Sequence, residues 1–188
     1  MSRIFSLAAS GKRIVLELEG GFEQCIALKA ALANSRDVTP ALCGKIMFND
    51  RNKKRAVTEC MPISGALSVI CVNERAKEFF ASIDSNARFT EVEVVDESTT
   101  WHVYTTLSVI DAVLPGDGVE SLLDGKRRLR SPRFSGASDL PSVFRLPTDY
   151  EASESLFCAD TVLAAAKRRK ITGLSFWDYA SREETTLV

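Results

Sequence analysis

The chain has 188 residues and a formal net charge of −1, with 45% hydrophobic and 26% charged residues. These ordinary globular values exclude a disordered or fibrous chain. The balance of basic and acidic residues also argues against a dedicated nucleic-acid binder, which usually carries a basic excess. We expect a single domain. It could consist of two lobes, which would cover residues 1–62 and 63–188.

The spacing of the cysteines and the length of the apolar runs further limit the class of protein. The five cysteines are widely spaced and the chain has one histidine, whereas a zinc site needs close Cys or His pairs. We therefore expect reduced thiols in a cytoplasmic protein that has no metal and no cofactor. The longest apolar run, residues 65–72, is far shorter than the roughly 20 residues of a membrane helix, so no membrane association is expected.

The first third of the chain predicts strands around one helix. Residues 1–10 are expected to form a strand, and apolar and charged residues alternate over the second half of 12–19 as in a half-buried strand. The pair Gly20-Gly21 ends that strand, and residues 22–34 favour a helix throughout. The large apolar positions of this helix are Phe22, Ile26, Leu28 and Leu32.

The middle of the chain predicts a strand-helix-strand unit. Residues 45–48 form a short strand before the polar, basic loop 49–55, and 66–72 form a short β-branched run typical of a buried strand. Asn73 is a good helix N-cap, because its side-chain oxygen can accept a hydrogen bond from the first turn. The helix that it starts is expected to end near Asp84.

Two alternating segments then predict a hairpin. Residues 89–95 and 101–107 both have the period of a strand, and in the first of them Glu91 and Glu93 face away from the valines. Residues 114–147 are rich in Gly, Pro, Ser and Arg. They predict a long surface excursion, which in a compact domain is more often functional than idle, unless the segment contains elements that its pattern does not reveal.

The last third repeats the strand-helix-strand pattern. A strand leads into a helix over residues 161–170, with Asp160 as its predicted cap, and a strand follows over 174–179. Cys71 and Cys158 both lie two residues before the predicted caps, which indicates either a weak internal duplication or a coincidence. The fold class is therefore α+β: a mixed, mainly antiparallel sheet with three main helices and two capped strand-helix-strand units.

Residues suited to catalysis are sparse. His102 is the single histidine, and nucleophilic catalysis would need it to meet an activated Ser or Cys and an orienting carboxylate. The sequence contains neither a nucleophile elbow nor a phosphate-binding loop. We interpret the chain as a protein that is not an enzyme, and keep as an alternative a small enzyme that uses His102 with a cysteine or a carboxylate.

An arginine-rich block is the best candidate contact surface, because guanidinium groups suit bidentate recognition of carboxylates and phosphates. The alternatives are a solvated loop, a protein contact and a nucleic-acid contact, but Phe134 is the only ring near the block that could stack on a base. Together with the acidic pair of the predicted hairpin, the candidate partner-binding residues are Lys126, Arg127, Arg128, Arg130, Arg133, Glu91 and Glu93.

Several segments carry a family resemblance over about residues 62–179. They are Leu67-Ser-Val-Ile-Cys-Val-Asn-Glu74, Ser142-Val-Phe-Arg-Leu146, Phe157-Cys-Ala-Asp160 and Ile171-Thr-Gly-Leu-Ser-Phe176. In these segments the chain resembles a family of bacterial immunity proteins that accompany polymorphic toxins in interbacterial competition. The resemblance implies neutralisation of a cognate toxin by direct binding without catalysis, with charge complementarity speeding association.

Overall fold

The chain has an α+β fold in a computed structural model that describes residues 3–10, 14–34, 41–48, 57–95, 99–116, 118–136, 140–151 and 153–187. In these residues the strands form a closed barrel, an open five-stranded sheet and a two-stranded ribbon. The strands are β1 (Ile4–Ala9), β2 (Ile14–Leu18), β3 (Leu42–Phe48), β4 (Cys60–Ile63), β5 (Ala66–Asn73), β6 (Ala87–Val94), β7 (Trp101–Thr106), β8 (Val119–Ser121), β9 (Arg127–Leu129), β10 (Val143–Arg145), β11 (Leu156–Ala159), β12 (Leu174–Asp178) and β13 (Glu183–Leu187). The helices are α1 (Gly21–Ala33), α2 (Glu74–Ile83) and α3 (Asp160–Arg169).

The barrel runs in the order β2-β3-β6-β7-β5-β4. Its β2–β4 and β3–β6 pairs are parallel and the others are antiparallel, which includes the predicted β6–β7 hairpin. Apolar residues of its strands form one core with the buried face of α1, because alternate side chains of each strand point inward. Members of this core are Leu16, Cys25, Leu28, Leu32, Met61, Cys71, Val92, Trp101 and Val103.

The open sheet is antiparallel and runs in the order β10-β11-β1-β12-β13. Its central strand is the predicted N-terminal strand, which is flanked by strands from the end of the chain. The barrel takes β2 and β3 from before residue 62 and β5 to β7 from after it. The two sheets therefore do not correspond to predicted lobes at residues 1–62 and 63–188, because strand pairing joins segments that are distant in sequence.

A shared core lies between the barrel and the open sheet. The inner face of the open sheet, the outer face of β5 and β7, and one face each of α2 and α3 contribute to it. Phe80 of α2 stacks on Tyr104 of β7 at 4.1 Å between ring centroids, and the Tyr104 hydroxyl donates to Asp84 Oδ2 at 2.8 Å. Burial of these rings fixes α2 against β7.

The three predicted helices are confirmed, but only one predicted cap is. Asn73 Oδ1 accepts a hydrogen bond from the Ala76 amide at 3.1 Å. The prediction that Asp160 caps α3 is wrong, because Ala159 occupies the N-cap position. Asp160 is the first helical residue, where its negative charge interacts favourably with the helix dipole. When the two caps are aligned, Val72 corresponds to Cys158, so Cys71 and Cys158 are not equivalent positions.

The two strand-helix-strand units nevertheless share one topology. In the first unit β5 and β6 both pair antiparallel with β7, and in the second β11 and β12 both pair antiparallel with β1. Each helix therefore connects two parallel strands that have an antiparallel strand between them. A duplication remains an interpretation of this likeness.

The segment predicted as a surface excursion packs a third core. Its apolar residues cover the outer face of the open sheet, and strands β8, β9 and β10 lie within it. The sequence concealed this because the apolar positions are separated by turns and show no period. Members of this core are Ala112, Val113, Phe144, Leu146, Tyr150 and Phe157, and the partly buried Phe134 packs against it.

The Thr172-Gly173 pair joins the barrel to the open sheet. Thr172 donates its amide to Glu59 Oε2 at 2.9 Å, and its carbonyl accepts from the Cys60 amide at 3.1 Å. Gly173 has φ +82°, and its carbonyl accepts from the Ser10 amide at 2.8 Å. The segment Ile171-Thr-Gly-Leu-Ser-Phe176 of the family resemblance thus has a packing role.

Across the described residues, no helix has the length and apolarity to span a bilayer.

Candidate partner-binding surfaces

Arg127 is held from three sides. Its Nη2 lies 2.9 Å from Asp111 Oδ2 and 2.6 Å from Asp149 Oδ2, and its guanidinium stacks 3.9 Å from the Tyr150 ring centroid. Burial alone would raise the pKa of Asp111, but the hydrogen bonds from Tyr150 and Arg127 hold that pKa below its usual value. The guanidinium is thus already engaged by the segments that flank the hairpin of β8 and β9.

The neighbouring arginines are also paired. Arg128 forms a two-point contact with Glu151, at 2.6 Å from Nε and 2.9 Å from Nη2, while Arg130 contacts Glu120 Oε2 at 2.9 Å. The hydrogen bond from Arg128 lowers the pKa of Glu151. The three arginines of this hairpin are therefore matched by carboxylates. The carboxylates are Asp111, Glu120, Asp149 and Glu151.

The other two predicted residues of the block differ in their surroundings. Lys126 is exposed where the hairpin loop meets β9, and its charge adds to that of Arg128 in lowering the pKa of Glu151. Arg133 lines a separate cleft of about 260 Å³ with Arg3, Phe134 and Tyr179. The structure thus places four of the five basic residues on one hairpin and the fifth, Arg133, in a different cleft.

The hairpin ends in an apolar tip that the sequence analysis missed. Leu123 is fully exposed, while the Leu122 amide donates to the Lys126 carbonyl at 2.7 Å and closes the loop. The Lys126 amide also donates to Asp124 Oδ1 at 3.1 Å, and Gly125 takes the positive φ of +79° that the turn requires. The signal in the sequence was a leucine pair next to the turn formers Asp124 and Gly125.

Glu91 and Glu93 lie where the alternation predicted. Both are exposed on the outer face of β6, while Val92 and Val94 point into the barrel. Glu93 is opposite Cys43 of β3. Burial, followed by the Glu19 and Glu93 carboxylates, raises the pKa of the Cys43 thiol. Carboxylates from the end of β2 and from β6 thus meet on one side of the barrel.

His102 lies beneath α2. Its Nε2 is 2.6 Å from Glu74 Oε1 and 3.1 Å from Lys77 Nζ, and its side chain is only 7% exposed. The hydrogen bonds from His102 and Lys77 lower the pKa of Glu74. Cys71, on the adjacent strand, points into the barrel core instead. The alternative enzyme thus has a His-carboxylate pair, but α2 covers the imidazole.

The chain also has an exposed apolar helix face that the sequence analysis did not single out. Phe22 is 72% exposed and Ile26 52% exposed, and they follow one another at the helical spacing of four along α1. The signal was present: only Glu23 and Lys29 carry charge in α1, so its apolar residues surround the helix instead of forming one stripe.

No metal site competes with these surfaces in the described ranges, where no group of three or more His, Cys, Asp or Glu residues is placed to hold an ion. All five cysteines are free thiols, and four of them are buried.

In comparisons with known proteins, no protein-family model matches this chain. No curated protein matches it either.

Proposed function

We propose that this chain is an immunity protein that neutralises a cognate bacterial toxin by direct binding, and that the hairpin of β8 and β9 is its main contact. The observation that carries the proposal is the fully exposed Leu123 at the tip of a hairpin whose arginines are already paired. A partner that covers this exposed leucine removes its apolar surface from water, which contributes favourably to binding.

The hairpin is well prepared for binding. Ion pairs hold its base through Arg127 and Arg128, so little conformational freedom is lost when a partner docks. The polar groups around Leu123, which include Asp124 and Lys126, provide the rim that excludes water around a central apolar contact. The paired arginines act mainly as supports for this tip, and Lys126 and Arg133 remain able to meet a partner's carboxylates.

The resemblance of residues 62–179 to immunity proteins supports a toxin as the partner. A blocked toxin needs no catalytic residue in its inhibitor, and the coverage of His102 by α2 favours binding over an enzyme. The free, mostly buried thiols suit the reducing cytoplasm, where we propose that the protein acts. The exposed Glu91 and Glu93 would steer a basic region of the toxin during association.

The test is co-expression with the protein encoded immediately upstream. We expect that protein to arrest growth, this chain to relieve the arrest, and the two to elute as one complex in size exclusion. The substitution Leu123→Asp is expected to weaken the complex at least tenfold, because it places a charge in the buried centre of the interface. Leu107→Asp, at a second exposed leucine, is the matched control.

Absence of both rescue and a complex would contradict the proposed function. Equal weakening by Leu123→Asp and Leu107→Asp would contradict the role of the hairpin. A nucleic-acid regulator predicts a different result: a salt-sensitive shift of DNA or RNA in a low-salt gel, lost when Arg127, Arg128 and Arg130 are replaced by alanine.

A further inference from the structure

The exposed face of α1 is an apolar feature on the barrel side of the molecule that the hairpin does not explain. Phe22, Ile26 and Ala30 succeed one another every four residues and all are exposed. The opposite face of the same helix is buried in the barrel core through Cys25, Leu28 and Leu32. A helix that already buries one face has no packing reason to expose a phenylalanine and an isoleucine on the other.

This helix is fixed at both ends, so its exposed face is preorganised. At its start, the Gly20 amide donates to Gln24 Oε1 at 3.1 Å. At its end, Asn34 Nδ2 donates to the Ala30 carbonyl at 2.8 Å, and the buried Arg145 guanidinium donates to the Leu32 carbonyl. A cation at the last carbonyls is also favoured by the helix dipole.

A cleft of about 200 Å³ lies beside the phenylalanine. Phe22 and Cys25 form one wall, the turn at Ser64 and Gly65 forms the other, and Glu17 of β2 stands at its edge. The Cys25 thiol donates to the Ser64 carbonyl at 3.0 Å, which closes the base of the cleft. The cleft therefore has apolar walls and an acidic edge.

In the part of the chain that the structure describes, the unpaired charge at the start of this face is negative. Glu19 and Glu23 flank the start of α1 and both are exposed. Of the cations described nearby, Lys45 lies 3.6 Å from Glu17 and Lys29 lies 2.9 Å from Glu154. A complementary surface would present an apolar side chain flanked by lysine or arginine.

The face also continues toward the hairpin. Lys29 of α1 is paired with Glu154, and three residues earlier in the chain Glu151 holds Arg128 of the hairpin. Three residues of chain span at most about 10 Å. One partner of ordinary interface size, about 800 Å² on each side, can therefore touch both surfaces.

We infer that the exposed face of α1, with its acidic edge, is a second contact surface for the same toxin and docks a cationic segment that carries a central apolar side chain. This inference rests on the proposed function and adds the chemistry of the partner. The toxin presents a basic surface, as proteins that act on polyanions do, and the α1 face covers part of it.

The experiment measures association and dissociation rates with the purified upstream-encoded protein at several salt concentrations. For the double variant Phe22→Ser, Ile26→Ser we expect dissociation at least tenfold faster, because two apolar anchors are lost. For Glu23→Lys we expect several-fold slower association and a weaker dependence on salt. The matched controls are Met47→Ser, an exposed apolar residue of β3, and Glu183→Lys on β13, and both should bind like the unmodified chain.

The outcomes separate the two proposals. If the toxin binds, Leu123→Asp weakens the complex and all α1 variants bind like the unmodified chain, only this inference is overturned. If the unmodified chain forms no complex, the proposed function fails and this inference fails with it. If the chain self-associates through this face, so that the double variant alone is monomeric in sedimentation, the face is a contact between copies and the inference is overturned.

Discussion

The junction between barrel and open sheet and the hairpin of β8 and β9 hold their charges in opposite ways. At the junction, Arg145 is 1% exposed and donates to the main-chain carbonyls of Thr106 and Leu32. In the hairpin, Arg128 and Glu151 pair with each other at the surface. A buried charge bonded to the backbone holds distant segments of the fold together, whereas an exposed pair only maintains the shape of a projection.

The comparison also applies to glycines, where the largest effect is expected. Gly173 at the junction and Gly125 in the hairpin have nearly the same positive φ, +82° and +79°. A Cβ on Gly173 would lie 2.0 Å from the Cys60 carbonyl oxygen, whereas one on Gly125 would meet nothing within 4 Å. A side chain at either site would be strained by the left-handed backbone conformation. Only a side chain at position 173 would also collide with the backbone of Cys60.

We therefore expect Gly173→Ala to lower the free energy of unfolding by about 2–5 kcal/mol, and Gly125→Ala by about 1 kcal/mol. Urea denaturation followed by circular dichroism measures both values. Similar losses at the two sites would show that the close packing of Thr172-Gly173 against β4 does not hold the junction.

The second largest effect is expected at Arg145. Replacement by methionine keeps much of the side-chain volume but removes the donors to the Thr106 and Leu32 carbonyls, at a cost of about 3 kcal/mol. Desolvation already lowers the pKa of this guanidinium, which indicates how far it is removed from water. Arg128→Met in the hairpin is the matched control, and its thermal midpoint should change much less. Equal shifts in the two midpoints would remove the distinction between junction and hairpin.

Local patterns predicted much of this fold. The helices and the alternating strands followed from periodicity, and Asn73 followed from its capping chemistry. The closure of the barrel did not, because β2, β3 and β4 are brought together by pairing between distant segments. Strand β13 was not predicted either, since its sequence Glu183-Glu-Thr-Thr-Leu187 shows no alternation of apolar and polar residues.

The candidate surfaces were predicted less well than the fold. The arginine block drew attention by its density, yet whether a charge is free depends on carboxylates elsewhere in the chain, such as Glu151 and Asp111. The sequence analysis did not single out Arg145, although a lone arginine between apolar residues of a strand indicates a buried charge that is hydrogen-bonded. The exposure of Phe22 and Leu123 depends on what the rest of the fold covers, which periodicity does not report.

The smallest effect is expected at Glu59 and appears as a pH dependence. Burial alone would raise the pKa of Glu59, but hydrogen bonds from Thr172 and the nearby charge of Arg75 hold it below its ordinary value. A folded-state pKa below the unfolded one means that the ionised form stabilises the fold. That stabilisation is complete above the unfolded pKa of about 4.3 and is lost as the pH falls through the folded value.

Glu59→Gln should therefore cost about 1–2 kcal/mol at pH 7, and the difference from the unmodified chain should shrink below about pH 4. Chemical denaturation at pH 7, 5 and 3.5 measures it. Glu151→Gln in the hairpin is the control: its pKa is lowered too, but its partner Arg128 remains solvated, so its stability difference should be smaller at every pH. If the difference in free energy of unfolding between Glu59→Gln and the unmodified chain stayed constant from pH 7 to 3.5, the contact with Thr172 would not depend on the charge of the carboxylate. At Thr172-Gly173 the junction would then be held by close packing, and the contrast in buried charge between junction and hairpin would rest on Arg145 alone.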